Sequence, residues 1–275
     1  FNTSKTATSS SWNANTSAAI SSNVTYYAII RSSSQYTATF NKNKASSVSK
    51  TSASCYRYNG ATSCSVTSPT ITAGSGWTAV GFNTSASATS SGWNVGAAKS
   101  VSSNATYYAI IKSSSAYTIT FNKNTASSIG STSQSCYRYN GATSCSVTSP
   151  SITPKTYYST VGWNTSKSAS TSSWNAGTSK SISANATYYA ITSAKAPTCG
   201  TASVTGSGTS RTITVPCINP DNGSACTAGT GTVTTNGTHY VTITGSNGVT
   251  KSCSVTVSGI ATKPVLAWYG DSDNG

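Results

Sequence analysis

Phe1-Asn2-Thr3-Ser4 returns as Phe82-Asn83-Thr84-Ser85 and again as Trp163-Asn164-Thr165-Ser166, each time after 81 residues. Trp12, Trp93 and Trp174 keep the same step, as do Tyr26-Tyr27, Tyr107-Tyr108 and Tyr188-Tyr189. No insertion or deletion breaks the register, and a fixed period of this kind marks modules strung in tandem. The chain therefore reads as the back part of a repeat over 1–32, full repeats over 33–113 and 114–194, a different domain over 195–260, and a linker or the start of a further module over 261–275. Pro197 marks the main boundary, because proline disfavours continued regular pairing. Between repeats, Ser32-Ser33-Ser34 and Ser113-Ser114-Ser115 read as very short linkers.

Within a repeat the patterns are those of strands. Tyr117-Thr118-Ile119-Thr120-Phe121 alternates apolar residues with Thr, as a half-buried strand does, and Tyr36 to Phe40 repeats it. Ala105 to Ile111 reads as the closing strand of the unit. Six Trp, sixteen Tyr and four Phe, many at periodic positions, supply the buried area that a small β core needs.

The run Cys55-Tyr56-Arg57-Tyr58-Asn59-Gly60-Ala61-Thr62-Ser63-Cys64 predicts a hairpin, since Asn-Gly favours the two-residue type I′ turn. Counting outward from Asn59-Gly60 pairs Cys55 with Cys64 as a non-hydrogen-bonded pair, with Cα atoms about 4.5 Å apart. Cys136 and Cys145 repeat the arrangement around Asn140-Gly141. Closing so short a loop is worth about 2.5 to 3 kcal/mol in the loop-entropy model. A zinc site would need further ligands, and the repeats contain no His, Asp or Glu.

Three phrases carry a resemblance: Phe40-Asn41-Lys42-Asn43 after an alternating strand, Val80-Gly81-Phe82-Asn83-Thr84 in mid-unit, and Asn104-Ala105-Thr106-Tyr107-Tyr108-Ala109-Ile110 at the end. Together they resemble the Listeria–Bacteroides repeat, the family that contains the internalin B-repeats, over residues 1–194. The chain departs from that pattern in carrying Lys at its acidic position, in lacking its "NGG" turn and in adding the disulfide hairpin. The resemblance implies a compact β-grasp-like module without catalytic residues, used in strings on bacterial surfaces as spacers and as adhesive segments.

From Thr198 onward the sequence changes to short β runs at Arg211–Val215, Gly231–Thr235, Thr238–Thr244 and Val249–Val257. Asn236-Gly237 and Asn247-Gly248 mark turns between the last three, which predicts an antiparallel meander. This part is similar to bacterial immunoglobulin-like surface domains. Its four cysteines allow three pairings, of which Cys217 with Cys226 and Cys199 with Cys253 is favoured. Lys263 to Tyr269 is expected to start another strand or module, and Asp271-Ser272-Asp273-Asn274-Gly275 to be a polar turn rather than a calcium loop, whose distal ligands it lacks. The expected fold class is thus mainly β: tandem β-grasp-like modules and then an antiparallel β-sandwich-like domain.

Composition narrows the chemistry. Charged residues make up 7% of the chain, against about 25% in ordinary soluble domains. Asp and Glu total three, Asp221, Asp271 and Asp273, so nothing before Asp221 carries a carboxylate side chain. Paired carboxylates for glycoside hydrolysis are therefore absent from the repeats. So is the acid that a Lys-Asn isopeptide cross-link needs. The abundant serines have only His239 as a candidate base, and it falls in an expected strand as a solvent-facing residue. No catalytic residue, metal or cofactor is expected. Sequons such as Asn23-Val24-Thr25, Asn104-Ala105-Thr106 and Asn185-Ala186-Thr187 arise readily by chance in a chain this rich in Asn, Ser and Thr.

Eight cysteines at repeated spacing imply an oxidising, extracellular setting, and the expected place is the bacterial cell surface. No run of eighteen apolar residues could span a membrane, and any export signal or anchor is expected outside these residues. The net charge of +14 is spread rather than clustered, which reads first as cations that keep a carboxylate-poor surface soluble and second as weak, salt-sensitive attraction to polyanions, with no specific nucleic-acid site.

Two functions follow. The first is a structural stalk, fibre or filament component, partnered by copies of itself. The second is an adhesin in which Tyr56, Arg57, Tyr58 and Arg138, with the recurring cations Arg31/Lys112, Lys42/Lys123 and Lys99/Lys180, bind glycans or anionic cell-wall polymers by avidity.

Overall fold

The computed structural model describes residues 1–262, all of them in strands, turns and irregular segments without a helix. The segments expected at Lys263–Tyr269 and Asp271–Gly275 lie outside the described residues. The chain forms two compact units. One comprises Phe1–Thr118, Ser135–Val147 and Ser181–Asn185; the other comprises Ile119–Gln134, Thr148–Lys180 and the described residues from Ala186 onward.

The first full repeat contains β1 (Arg31–Asn41), β2 (Ser47–Val48), β3 (Ser52–Tyr58), β4 (Cys64–Thr67), β5 (Ile71–Thr72), β6 (Trp77–Asn83), β7 (Ala98–Val101) and β8 (Ala105–Ser113). Its main sheet runs β3-β1-β8-β6, with the parallel pair β1 and β8 at the centre and antiparallel β3 and β6 outside. Two small ladders, β4 with β7 and β2 with β5, complete it. Alternation sets the inner face: Ala38 and Phe40 of β1 and Tyr107, Ala109 and Ile111 of β8 are buried together with Phe82, Trp93 and Val101. The Phe40 ring lies 5.0 Å from Phe82 and 5.3 Å from Trp93, and Trp93 meets Tyr107 edge-on at 4.9 Å. Each such aromatic pair adds about 1 kcal/mol beyond the area it buries. The polar tip of the buried indole is satisfied, since Trp93 Nε1 donates to Ala97 O at 2.9 Å.

The second repeat contains β9 (Tyr117–Asn122), β10 (Ser128–Ile129), β11 (Ser133–Cys136), β12 (Cys145–Thr148), β13 (Ile152–Thr153), β14 (Tyr158–Asn164), β15 (Ser179–Ile182) and β16 (Ala186–Ala194). Its order, β11-β9-β16-β14, is that of the first repeat. Phe121 packs on Trp163 at 4.7 Å and Trp174 on Tyr188 at 5.2 Å. Where the first repeat has Phe82, this one has Trp163, whose Nε1 donates to Pro150 O at 3.1 Å.

Two expectations need correction. The Asn59-Gly60 turn forms, with both residues at positive φ and Ala61 N donating to Tyr58 O at 3.0 Å. No ladder follows it, because β3 gives its backbone hydrogen bonds to β1 while β4 pairs with β7. The Cys55–Cys64 disulfide thus staples two sheets rather than two strands of one hairpin, and its Cα atoms stand 5.9 Å apart. Ser32-Ser33-Ser34 is likewise no linker. It lies inside β1, within a bulge between the pairs Arg31 with Tyr58 and Gln35 with Tyr56.

The remaining strands are β17 (Thr198–Cys199), β18 (Ser203–Thr205), β19 (Arg211–Ile218), β20 (Ala225–Val233), β21 (Gly237–Thr244) and β22 (Thr250–Val257). They form one antiparallel path, β17-β19-β20-β21-β22, with β18 also on β19. A single pair, Thr227 with Thr244, joins β20 to β21. The Cys199–Cys253 disulfide links the two ends of this path at a Cα separation of 6.0 Å, so the sheet curls back on itself around Ile213, Val215, Val241 and Ile243. Cys217–Cys226 closes the β19–β20 loop. His239, expected to face solvent, is half-buried with Nε2 2.8 Å from Thr235 O, and its neighbour Tyr240 is the exposed residue.

Candidate functional site

A chain with so few acids must settle its cations otherwise, and it does so on aromatic faces and carbonyls. Arg57 lies 4.3 Å over the Tyr36 ring, with Nη1 donating to Tyr36 Oη and Nη2 to Ser34 Oγ, each at 3.0 Å. Arg138 lies 4.4 Å over Tyr117 and 5.7 Å from Trp77. The Nε of both guanidiniums is buried without a hydrogen-bond partner, a cost that the stacking geometry imposes. Lys99 sits over Trp93 and Tyr107 and donates to Gly92 O at 3.0 Å; Lys180 does the same over Trp174 and Tyr188, donating to Ser173 O at 3.2 Å. Two of the recurring cation pairs are therefore committed to the fold. Lys42 and Lys123 remain exposed.

The Tyr-Arg-Tyr-Asn-Gly turn is the point where one repeat meets the one before it. Asn59 N donates to Ile30 O at 2.7 Å, and Ile30 N donates to Asn59 Oδ1 at 2.9 Å. The Asn59 Nδ2 donates to Lys5 O and Ala7 O at 3.1 and 3.2 Å. Every one of these bonds recurs after 81 residues: Asn140 N to Ile111 O, Ile111 N to Asn140 Oδ1, and Asn140 Nδ2 to Ala86 O and Ala88 O. The serines once read as linkers belong to the same device, because Ser32 Oγ accepts from Arg57 N and Ser113 Oγ from Arg138 N, both at 3.1 Å. Asn59 and Asn140 can take the left-handed φ of 54° and 51° that the turn needs, which asparagine tolerates better than most residues.

At both junctions this clamp leaves an open groove. The first, about 680 Å³, has Lys5, Thr6 and Thr8 on one wall and Tyr56, Tyr58 and Asn59 beside the disulfide on the other. The second, about 450 Å³, has Ser87 and Thr89 facing Tyr137, Tyr139 and Asn140. Arg31 lies 4.2 Å over the Tyr56 ring, and Lys112 lies 4.3 Å over Tyr137. Of the residues singled out in the sequence, Tyr56 and Tyr58 line the groove, whereas Arg57 and Arg138 turn away to their stacking partners. The residues that sequence reading passed over are Asn59, Asn140, Ser32, Ser113 and Lys5. For the asparagines and serines the signal was available in the unbroken register, since Asn59 recurs as Asn140 and Ser32 as Ser113; Lys5 left none, because Ala86 stands in its place in the next repeat.

The third junction is built differently. Cys217 and Cys226 fall 81 residues after Cys136 and Cys145, and Asp221, with a φ of 73°, takes the place of Asn140. Asp221 forms an ion pair with Lys195, and Tyr157 Oη lies 3.1 Å from Ser224 Oγ. Asn247 Nδ2 donates to Tyr157 O at 2.9 Å and to Lys195 O at 2.8 Å.

All eight cysteines are paired, and among the described residues no three His, Cys, Asp or Glu side chains gather as a metal site would require. No helix among them is long and apolar enough to cross a membrane. Comparison with family models, with curated proteins and with solved structures finds no match for this chain.

Proposed function

We propose that this chain is an extracellular structural protein, a stalk, fibre or filament component of a bacterial cell surface, and not an enzyme. The observation that supports it is the recurrence of the junction. Two successive turns make the same four hydrogen bonds to the preceding repeat, with no free linker between them. Joints of that kind tie each repeat to the one before it, as an array under tension requires and a set of independent domains does not. Four disulfides suit an oxidising exterior, where a small core gains most from cross-linking. The sheet order, with its first and last strands parallel at the centre, is that of a β-grasp sheet without its helix. That agrees with the resemblance to the Listeria–Bacteroides repeat, and the curled C-terminal sheet suits an immunoglobulin-like surface domain.

The test is electron microscopy of native surface material beside small-angle scattering of the unreduced chain. Regular fibres with a repeat matching the modules are expected, with scattering that one fixed arrangement of the repeats describes. Scattering that demands freely jointed modules, with no ordered material on cells, would sink the structural reading.

A further inference from the structure

We propose that the groove at each Asn-clamped junction is a binding subsite for an acidic polysaccharide, one short segment of the glycan per junction. Each groove pairs two tyrosines with hydroxyl and amide groups: Tyr56, Tyr58, Asn59, Thr6 and Thr8 in the first, and Tyr137, Tyr139, Asn140, Ser87 and Thr89 in the second. Tyrosine rings offer a flat face to the C–H side of a pyranose, and the surrounding donors and acceptors match its hydroxyls. The charge selects an acidic sugar. No carboxylate side chain occurs before Asp221 to repel one, and Lys5 stands in the wall of the first groove; Arg31 and Lys112, stacked on Tyr56 and Tyr137 outside the groove linings, add positive charge beside each groove.

Each groove takes its two walls from consecutive repeats, so the subsite exists only in a tandem array. Recurrence at every such junction favours a polymer, which several subsites grip at once, over a free monosaccharide. The third junction discriminates. There Ile218 and Pro220 stand where Tyr137 and Tyr139 stand in the second, and Asp221 replaces Asn140 with a negative charge. The structure thus assigns two subsites to the described residues, and none to the junction with the C-terminal sheet. The assignment is independent of whether the array forms fibres.

Calorimetric titration of the unreduced chain with oligogalacturonate tests it, with uncharged dextran and poly(glycerol phosphate) as comparators. Two sites per chain are expected, weakened at least tenfold between low and physiological salt. Tyr58→Ser should leave one site and Tyr58→Ser with Tyr139→Ser none. Ala61→Trp and Ala142→Trp, which fill the grooves from exposed positions and leave the core intact, should do the same. Three results overturn the proposal. One is absence of oligogalacturonate binding; another is a stoichiometry that none of these variants changes; the third is binding of dextran or poly(glycerol phosphate) at the grooves as tight as that of the uronate.

Discussion

Asn140 closes on Ile111 from both sides: its backbone N–H donates to Ile111 O at 2.9 Å while its side-chain Oδ1 accepts from Ile111 N at 3.2 Å. The same side chain donates through Nδ2 to Ala86 O and Ala88 O. Asn140→Ala removes three side-chain hydrogen bonds and puts a Cβ residue less tolerant of left-handed φ at 51°. At about 1 kcal/mol per bond and about 1 kcal/mol for the backbone, the loss is about 4 kcal/mol. Asn140→Gly keeps the backbone relaxed and loses only the bonds, about 3 kcal/mol. Amide exchange at Ile111 reads the effect directly. Protection at Ile111 that survives Asn140→Ala would show that the clamp carries no stability.

Ser113 lies fully buried, its hydroxyl accepting from Arg138 N at 3.1 Å and donating to Ser115 O at 2.8 Å. Ser113→Ala leaves a buried N–H without a partner, which costs about 1 to 3 kcal/mol. The adjacent Ser114 side chain is exposed, and Ser114→Ala should change stability by less than about 0.5 kcal/mol. Denaturant unfolding of the two variants checks the contrast; equal effects would contradict the buried role of Ser113.

The disulfide Cys136–Cys145 joins β11, in the main sheet of its repeat, to β12 of the small ladder. Replacing both cysteines by Ser should lower stability by about 2.5 to 3 kcal/mol through loop entropy, since the bridge spans nine residues of chain. Thermal unfolding of this variant and of the wild-type chain, each with and without reductant, measures it. A reductant effect on the wild-type chain no larger than that on the variant would contradict the prediction.

How much of this was legible in the sequence depends on the distance over which each feature acts. Alternation in Tyr117–Phe121 and the Asn59-Gly60 turn are local patterns, and both formed. The hairpin ladder did not, because a turn fixes only its own residues; β4 found in β7 a partner that no local count could supply. Ser32-Ser33-Ser34 looked like a linker by composition, yet Ser32 Oγ holds Arg57 N across 25 residues. The junction asparagines were the least visible, since their partners lie 29 and up to 54 residues away and are backbone groups, which leave no trace in residue identity. Repetition was the remaining clue. Extended past Pro197, the register also places Asp221 and the Cys217–Cys226 loop at the repeat's turn position, in a segment that composition alone sets apart.

Gly81 flanks the irregularity in the β6–β8 pairing that lies between Ala79 and Gly81; its φ is +145°, and a Cβ there would stand 2.6 Å from Ser91 Cβ and 2.7 Å from Trp93 O. One of those obstacles is backbone and cannot yield. Gly81→Ala therefore has to displace the Ser91–Trp93 segment that closes the aromatic core, at a cost of at least about 3 kcal/mol. Gly76→Ala, at a φ of +76° but with nothing within 4 Å, should cost only the backbone strain of about 1 kcal/mol. Near-ultraviolet circular dichroism, which reports the packing of Trp93, should change for the first and not for the second.

The junction with the C-terminal sheet offers a choice between a charge pair and an amide as its main tie. Lys195 and Asp221 form the one ion pair among the described residues, but their side chains are 37% and 45% exposed, so water and salt screen most of the attraction. Asp221→Asn should cost less than about 1 kcal/mol, and that small cost should vanish in high salt. Asn247 works in a drier place: its Nδ2 bridges Tyr157 O and Lys195 O while its Oδ1 accepts from Val249 N at 3.2 Å, so one side chain ties three backbone groups. Asn247→Ala should cost about 2 to 3 kcal/mol, independent of salt. Amide exchange at Val249 and Lys195 in the two variants, each at low and high ionic strength, separates the alternatives. A larger loss from Asp221→Asn, abolished by salt, would make the joint electrostatic and overturn the role assigned to Asn247.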